Sequence, residues 1–91
     1  MKEHQKIVLH VAPEVRHDLE KRRILIEDIQ KTIHHAEETG EILIHPQTGH
    51  RKASFKPYKV TFWVEYSPGD QGYIVHNAYT HRMDAFGGTR S

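Results

Sequence analysis

The sequence predicts an α+β domain in which two N-terminal helices pack on an antiparallel meander sheet of three or four strands. Two observations lead to this prediction. Apolar residues recur every three or four positions before Gly40 and alternate with polar residues after it, so the period changes from that of a helix to that of a strand. The later segments are joined by short loops, which force neighbouring strands to run antiparallel.

The two helices are expected at residues 13–22 and 26–39. Pro13 suits the first turn of the first helix, although Ala12 before it has no side-chain acceptor to cap the helix. The second helix carries its apolar residues on one stripe, which consists of Ile26, Ile29, Ile33 and Ala36. Gly40 then supplies the left-handed residue at which helices commonly end.

Four strands are expected at the following residues: 41–45, 50–55, 59–66 and 73–83. The third alternates most clearly, with Val60, Phe62, Val64 and Tyr66 on one face. The last begins with apolar residues and ends with Asn, His and Arg, so its face toward the core depends on its register. Tyr66 can pair with Tyr73 or with Ile74, and the residue pattern does not choose between these two registers.

Length and composition limit the class of protein. A chain of 91 residues makes one domain, which we place at residues 1–84, with residues 85–91 as a flexible tail. No apolar stretch approaches the ~20 residues of a membrane span, and the first apolar run is too short for a signal peptide. The chain has no cysteine, which removes disulfides and thiolate chemistry. We therefore expect a cytoplasmic protein without a membrane partner.

The segment RHDLEKRRILIEDIQKTI, residues 16–33, carries a resemblance to a known superfamily. An R-x-I-x-x-x-D-I-x-x-x-I pattern is formed there by Arg22 (or Arg23 for the arginine position), Ile24, Asp28, Ile29 and Ile33. The chain thus resembles the small bacterial domains of the RelE/BrnT toxin-like superfamily, in which such a helical pair precedes a curved antiparallel sheet. The resemblance implies a metal-independent ribonuclease with Arg, Lys, Tyr and His side chains on its sheet.

The second half of the chain departs from that superfamily. The segment NAYTHRM, residues 77–83, stands where the BrnT branch has an ISARRA-like strand, and the chain is less basic. Residues 60–83 are instead similar to a small domain that occurs alone or fused to pyridine-nucleotide-dependent oxidoreductases in anaerobic bacteria. That second resemblance implies a redox or regulatory context.

A polar and aromatic surface on the last two strands is the main candidate site. Trp63 lies on the face of its strand opposite to Phe62 and Val64, so we expect it on the wetter side of the sheet. There, near Arg51 or Lys52, it can stack on a base or contact a partner. The candidate binding residues are Trp63, Asn77, Tyr79, His81 and Arg82. The competing interpretation is that the last strand simply leaves the core.

These residues lead us to expect a small binding or accessory domain and not an enzyme. We expect a protein partner or a homodimer, because an exposed aromatic patch usually marks a contact surface. No cofactor is expected. The net charge of +1 gives no electrostatic indication of nucleic acid, which remains the secondary class of partner.

Two alternative functions remain open. In a ribonuclease, His would act as acid or base and Arg or Lys would hold the phosphate, and the candidates are His50, Arg51, Lys52, Tyr79, His81 and Arg82. The nine histidines raise the second alternative, binding of a divalent metal. His45 and His50 flank a turn, but two ligands do not make a protein site, and no metal ligand is assigned.

Overall fold

The computed structural model describes residues 6–82, apart from the side chain of Arg82, and shows an α+β fold. The elements in chain order are β1 (Leu9–Val11), α1 (Pro13–Lys21), α2 (Ile26–Thr39), β2 (Ile42–Ile44), β3 (Arg51–Phe55), β4 (Val60–Gly69) and β5 (Gly72–Arg82). The predicted helices and strands are all present, with ends shifted by at most a few residues. The predicted tail, residues 85–91, and the domain boundary before it lie outside the described residues.

The five strands form one mixed sheet in the order β1-β5-β4-β3-β2. Strands β2 to β5 make the predicted antiparallel meander. Strand β1 pairs parallel to β5, with Leu9 opposite Tyr73. The prediction of a purely antiparallel sheet with three or four strands was therefore incomplete, because a strand of three residues is too short to show a period.

The core lies between the two helices and one surface of the sheet, which we call the inner face. Helix α2 packs on β3 and β4, and α1 packs on β5. The fully buried side chains of the helices include Ile29 and Ile33, and those of the sheet include Val64, Tyr66 and Val75. Burial of each such aliphatic side chain stabilises the fold by about 1.5–3 kcal/mol. Within residues 6–82 no helix is long and apolar enough to cross a membrane.

A Schellman motif turns the chain between α1 and α2. The Ile24 N–H donates to the Leu19 carbonyl over 2.9 Å, and the Arg23 N–H donates to the Glu20 carbonyl over 3.1 Å. Leu19 and Ile24 are both buried, which is the hydrophobic contact that accompanies this motif. Arg23 occupies the left-handed position with φ 58°. The turn brings α2 back over the sheet.

A β-bulge decides which face of β5 is buried. Tyr66 pairs with Val75 and Glu65 pairs with Asn77, so His76 has no partner of its own on β4. The extra residue reverses the alternation of side chains beyond it. Val75 and Ala78 are therefore both directed to the core, with 2% and 1% of their surface exposed. Both predicted registers were wrong, because a two-residue turn joins the strands with Gly69 opposite Gly72, which puts Tyr66 opposite Val75.

Candidate functional site

The surface of the sheet opposite the helices, which we call the outer face, holds a cation beside two aromatic rings. Trp63 on β4 is directly opposite Tyr79 on β5. Their rings are nearly parallel, at 15°, with centroids 6.4 Å apart. The ammonium of Lys52 on β3 lies 5.2 Å from the Trp63 centroid and 5.3 Å from the Tyr79 centroid. We call these three residues the cation–aromatic cluster.

No carboxylate of the described part of the chain is paired with Lys52. Glu65 is opposite Lys52 in the pairing of β3 with β4, but its carboxylate contacts His50 instead. Among residues 6–82 no acidic group lies within ion-pair distance of the Lys52 ammonium. A cation over aromatic rings gains about 0.5–1 kcal/mol at an exposed site, so Lys52 is held in place while its charge remains available to an anion.

Four polar side chains continue the outer face toward the β4–β5 turn, and we call them the histidine network. The His50 Nδ1–H donates to Glu65 Oε2 over 3.0 Å. The His50 ring stacks on the His76 ring, with centroids 3.8 Å apart and planes within 5°. His76 Nε2 lies 2.8 Å from the Ser67 hydroxyl. His76 lies on this face by alternation with the buried Val75, and the bulge puts Asn77 on the same face.

The environment of His76 favours its neutral form. Burial is the first cause that lowers its pKa below 6.5, and the neighbouring His50 is the second, while Glu65 acts in the opposite direction. Ser67 beside His76 has the residue types of a nucleophile and its base. The carboxylate of Glu65 contacts the other histidine, however, so the four residues form two stacked pairs and not a hydrogen-bonded triad.

Arg51 is not part of this surface. It alternates with Lys52 and lies on the inner face, where its Nη1 donates to Glu37 Oε2 over 2.9 Å. The Tyr66 hydroxyl donates to the same oxygen over 2.8 Å. Trp63 was predicted to lie near Arg51 or Lys52. The structure places Lys52 beside Trp63, whereas Arg51 contacts Glu37 on the inner face. Among the ribonuclease candidates, Arg51 therefore lies on the face of the sheet opposite to Lys52 and Tyr79.

The remaining predicted residues are spread along β5. Asn77 Oδ1 accepts a hydrogen bond from Arg22 Nη1 over 3.0 Å, and the same atom of Arg22 donates to the Ala78 carbonyl over 2.7 Å. This contact covers the edge of β5 beyond β1. His81 is exposed and is paired with Thr61. The side chain of Arg82 lies outside the described part of the structure. Asn77, Tyr79 and His81 thus do not converge on one pocket.

Three residues of the histidine network were not predicted as site residues. Glu65 and Ser67 stand on the same face of β4 as Trp63 by simple alternation, so their positions were available from the sequence. His76 was not among the predicted site residues, because the sequence left the register of β5, and with it the face of His76, undecided. Within residues 6–82 no three His, Asp or Glu side chains are grouped so that they could hold a metal ion.

Two cavities among the described residues 6–82 lie away from this surface. One, of about 760 Å³, is open to solvent beside β1 and the β4–β5 turn, and its lining includes His10, Asp70 and Ile74. A second, of about 410 Å³, is lined by Phe55, Tyr58 and Phe62 among others. No predicted site residue lines either one. Within residues 6–82, the candidate site is thus separate from both of these cavities.

Fold and surface together define a small α+β domain with one sheet face under helices and the other carrying the cation–aromatic cluster and the histidine network. Comparisons of the chain with protein-family models, with curated proteins and with solved structures gave no match. The similarity to RelE/BrnT domains remains a prediction from the sequence.

Proposed function

We propose that this protein is a small binding domain that holds an acidic segment of a partner protein against the outer face of its sheet. The observation that carries this proposal is the Lys52 ammonium, which lies over Trp63 and Tyr79 without a carboxylate partner among residues 6–82. A carboxylate of the partner would pair with the ammonium, and a flat apolar side chain next to that carboxylate would cover the rings. Aromatic residues with few charges are typical of the centres of protein interfaces.

A protein partner fits this surface better than nucleic acid does. Affinity for nucleic acid comes mainly from several Lys and Arg contacts to phosphates, whereas the cation–aromatic cluster holds one lysine and the chain has a net charge of +1. The adjacent histidine network offers hydrogen-bond donors and acceptors that suit a peptide backbone. The similarity of residues 60–83 to domains fused to oxidoreductases supports a cytoplasmic redox or regulatory partner.

Trp63 makes the proposal directly testable, because it is the only tryptophan in the chain. The probes are N-acetyl-phenylalanine, which has a ring and a carboxylate, and its uncharged amide. We expect the carboxylate to shift the Trp63 indole N–H signal in nuclear magnetic resonance spectra at several-fold lower concentration than the amide. Lys52→Gln should remove this difference, and Lys31→Gln on α2 should keep it. Equal responses to the two probes would refute the role of Lys52.

Two other occupants of the surface are distinguished by the same signal. If a single-stranded oligothymidine shifts the Trp63 signal and N-acetyl-phenylalanine does not, the ligand of this surface is nucleic acid and not a protein. A shift caused by Phe86→Ala in the absence of any probe would show that the chain's own C-terminal segment occupies the surface. Either result would contradict the proposal.

A metal-independent ribonuclease is the second candidate function. The observation that favours it is that His50, Lys52 and Tyr79 share the outer face and that His76 adds a second imidazole beside them. Cleavage by acid and base catalysis needs two groups that transfer protons, and a cation stabilises the phosphate. If this candidate is correct, the protein will cleave RNA in the presence of a chelator and arrest growth on expression. His76→Ala should then lose the activity and His45→Ala should retain it.

A further inference from the structure

The edge of the sheet at β2 exposes apolar side chains and backbone groups. β2 pairs with β3 alone among the described strands. Leu43 and Ile44 are each 64% exposed. Edge strands of monomeric proteins are commonly protected by short length, charged side chains, proline or a bulge. β2 is short, at three residues, but Ile42–Ile44 contains no charged side chain, proline or bulge. The strand therefore has the properties of an association surface.

The hydrogen bonds of β2 show which backbone groups point to the open edge. The His45 N–H donates to the His50 carbonyl over 2.8 Å. In an antiparallel pair such bonded positions alternate, so Leu43 also faces β3, and the backbone groups of Ile42 and Ile44 face outward. The Ile42 N–H donates locally to the Gly40 carbonyl over 2.9 Å. The Ile44 N–H and the Ile42 carbonyl are left directed at the edge.

Residues 41–45, EILIH, are complementary to themselves when two copies run antiparallel. A two-fold axis at Leu43 places Ile44 opposite Ile42 of the second copy, so the outward N–H of one meets the outward carbonyl of the other. The two leucines then meet at the axis as a close, non-hydrogen-bonded pair. Glu41 comes opposite His45 of the second copy, and the symmetry makes this pair twice. Facing side chains that form a hydrogen bond or carry opposite charges stabilise a strand pair, whereas like charges destabilise it.

His45 is already oriented for this contact. Its Nδ1 accepts hydrogen bonds from the Gln47 and Thr48 amides at 3.2 and 3.3 Å, so the ring carries its proton on Nε2 and can donate outward. The Glu41 side chain is 77% exposed, and its nearest basic group, His35 Nε2, is 3.7 Å away. So exposed a carboxylate can turn toward the second copy at little cost.

We infer that two copies of this chain pair through β2 and form one continuous sheet across a two-fold axis. The pairing places both outer faces on the same side of the joined sheet. A partner that binds one cation–aromatic cluster would then meet a second cluster on the same surface. The inference rests on β2 and its flanking residues, and it does not depend on the proposed function.

The first test is sedimentation of the full chain over a wide range of concentrations. We expect a monomer–dimer equilibrium for the wild type. Ile44→Pro removes the outward N–H but none of the β2–β3 hydrogen bonds, and it should raise the dimer dissociation constant at least tenfold. Leu43→Lys should do the same, whereas Leu25→Lys, a leucine of matching 65% exposure at α2, should not. Thermal unfolding of each variant confirms that it is folded.

The second test addresses the register. Glu41→Lys should weaken the dimer, because a lysine then faces His45 of the second copy. The double variant Glu41→Lys/His45→Asp should restore it, since aspartate reverses the pair and also accepts the turn amides in place of the imidazole. A double variant no tighter than Glu41→Lys would overturn this register. The inference itself would be overturned if the wild type stayed monomeric at all concentrations. It would also be overturned if the Ile44→Pro and Leu43→Lys variants dimerised as tightly as the wild type.

Discussion

Tyr66 joins the core to a charged pair at the end of α2. Its ring is fully buried, and its hydroxyl donates to the Glu37 carboxylate, which also accepts from Arg51. Burial is the first cause that raises the pKa of Tyr66, and the hydrogen bond to Glu37 is the second. The hydroxyl therefore remains a protonated donor at all physiological pH values, and it fixes the position of the carboxylate that holds Arg51.

Tyr66→Phe should lower the free energy of unfolding by about 1.5 kcal/mol, because it removes a hydrogen bond to a charged group from a partly buried site. Urea denaturation at pH 7 measures the change. Tyr58→Phe is the matched control, since Tyr58 is 64% exposed, and it should have no measurable effect. Equal effects of the two substitutions would show that the Tyr66–Glu37 hydrogen bond contributes little.

His76 should make the stability of the fold depend on pH. Its folded-state pKa lies below its unfolded value of about 6.5, so the unfolded chain takes up a proton more readily. The contribution of His76 to stability is complete above pH 6.5 and is lost as the pH falls toward the folded-state pKa. The groups that face it are His50, Glu65 and Ser67, and Glu65 reduces the effect without reversing it.

We expect the urea concentration at the unfolding midpoint of the wild type to decrease as the pH is lowered from 7.5 to about 5.5. His76→Asn should flatten this dependence. His81→Asn should leave it unchanged, because His81 is exposed on the same strand. A His76→Asn variant with the wild-type dependence would assign the pH sensitivity to other histidines, and the histidine network would then have no measurable charge coupling to folding.

At the scale of the elements, the connection of α1 to α2 contains a residue in an unfavourable conformation. Arg23 has φ 58°, in the left-handed region where glycine is the usual residue of a Schellman motif. Its neighbour Arg22 has a right-handed backbone and anchors the end of α1 to Asn77 and Ala78. The two arginines, equivalent in the sequence pattern, thus have different structural roles.

Arg23→Gly should raise the free energy of unfolding by about 1 kcal/mol, because it removes the steric cost of a Cβ in the left-handed conformation. Arg22→Gly should lower the free energy, since it deletes the contact with β5 and puts glycine at a right-handed position. Thermal denaturation of both variants measures these opposite signs. Destabilisation by Arg23→Gly would mean that the Arg23 side chain makes a contribution larger than its backbone strain.

At the scale of the whole molecule, β1 forms an edge of the sheet and holds the N-terminal segment against β5, the last strand of the chain. The Tyr73 N–H donates to the Val8 carbonyl over 2.9 Å, and the Gln30 amide of α2 donates to the Ile7 carbonyl over 2.9 Å. This approach requires Gly72, because a Cβ there would overlap the Val8 carbonyl oxygen. The φ of Gly72, 158°, is also one that side-chain-bearing residues rarely adopt.

Gly72→Ala should therefore detach β1 and lower the free energy of unfolding by at least about 2 kcal/mol. Hydrogen exchange should accelerate at the amides of residues 9–11 and 73–75. Gly69→Ala, at the other side of the same turn, is the control, because its added Cβ meets only Ile74 side-chain atoms and the Gly72 carbonyl at ordinary contact distances of 3.4 Å or more. Unchanged exchange in Gly72→Ala would contradict the tight docking of β1.

The sequence by itself determined the helices, the four strands of the meander and the helix stop at Gly40. Each of these depends on residues adjacent in the chain, since side-chain period and local backbone preference act within one segment. The same local alternation predicted that Trp63 lies on the other face of β4 from Phe62 and Val64. The structure puts Trp63 on the outer face beside Lys52. Within the candidate site, this was the part that the sequence could predict.

The tertiary structure decided the pairing of β1, the face of β5 beyond His76 and which of Arg51 and Lys52 lies on the outer face. A three-residue strand is ordered only by the neighbour that pairs with it. A bulge inserts one residue into the count, so every later side chain changes face although no local preference changes. The cation–aromatic cluster depends on that single insertion, because without it Ala78 would lie opposite Trp63 and Tyr79 would be directed to the inner face. Such contacts depend on the register of two paired strands, and the sequence of either strand alone does not determine that register.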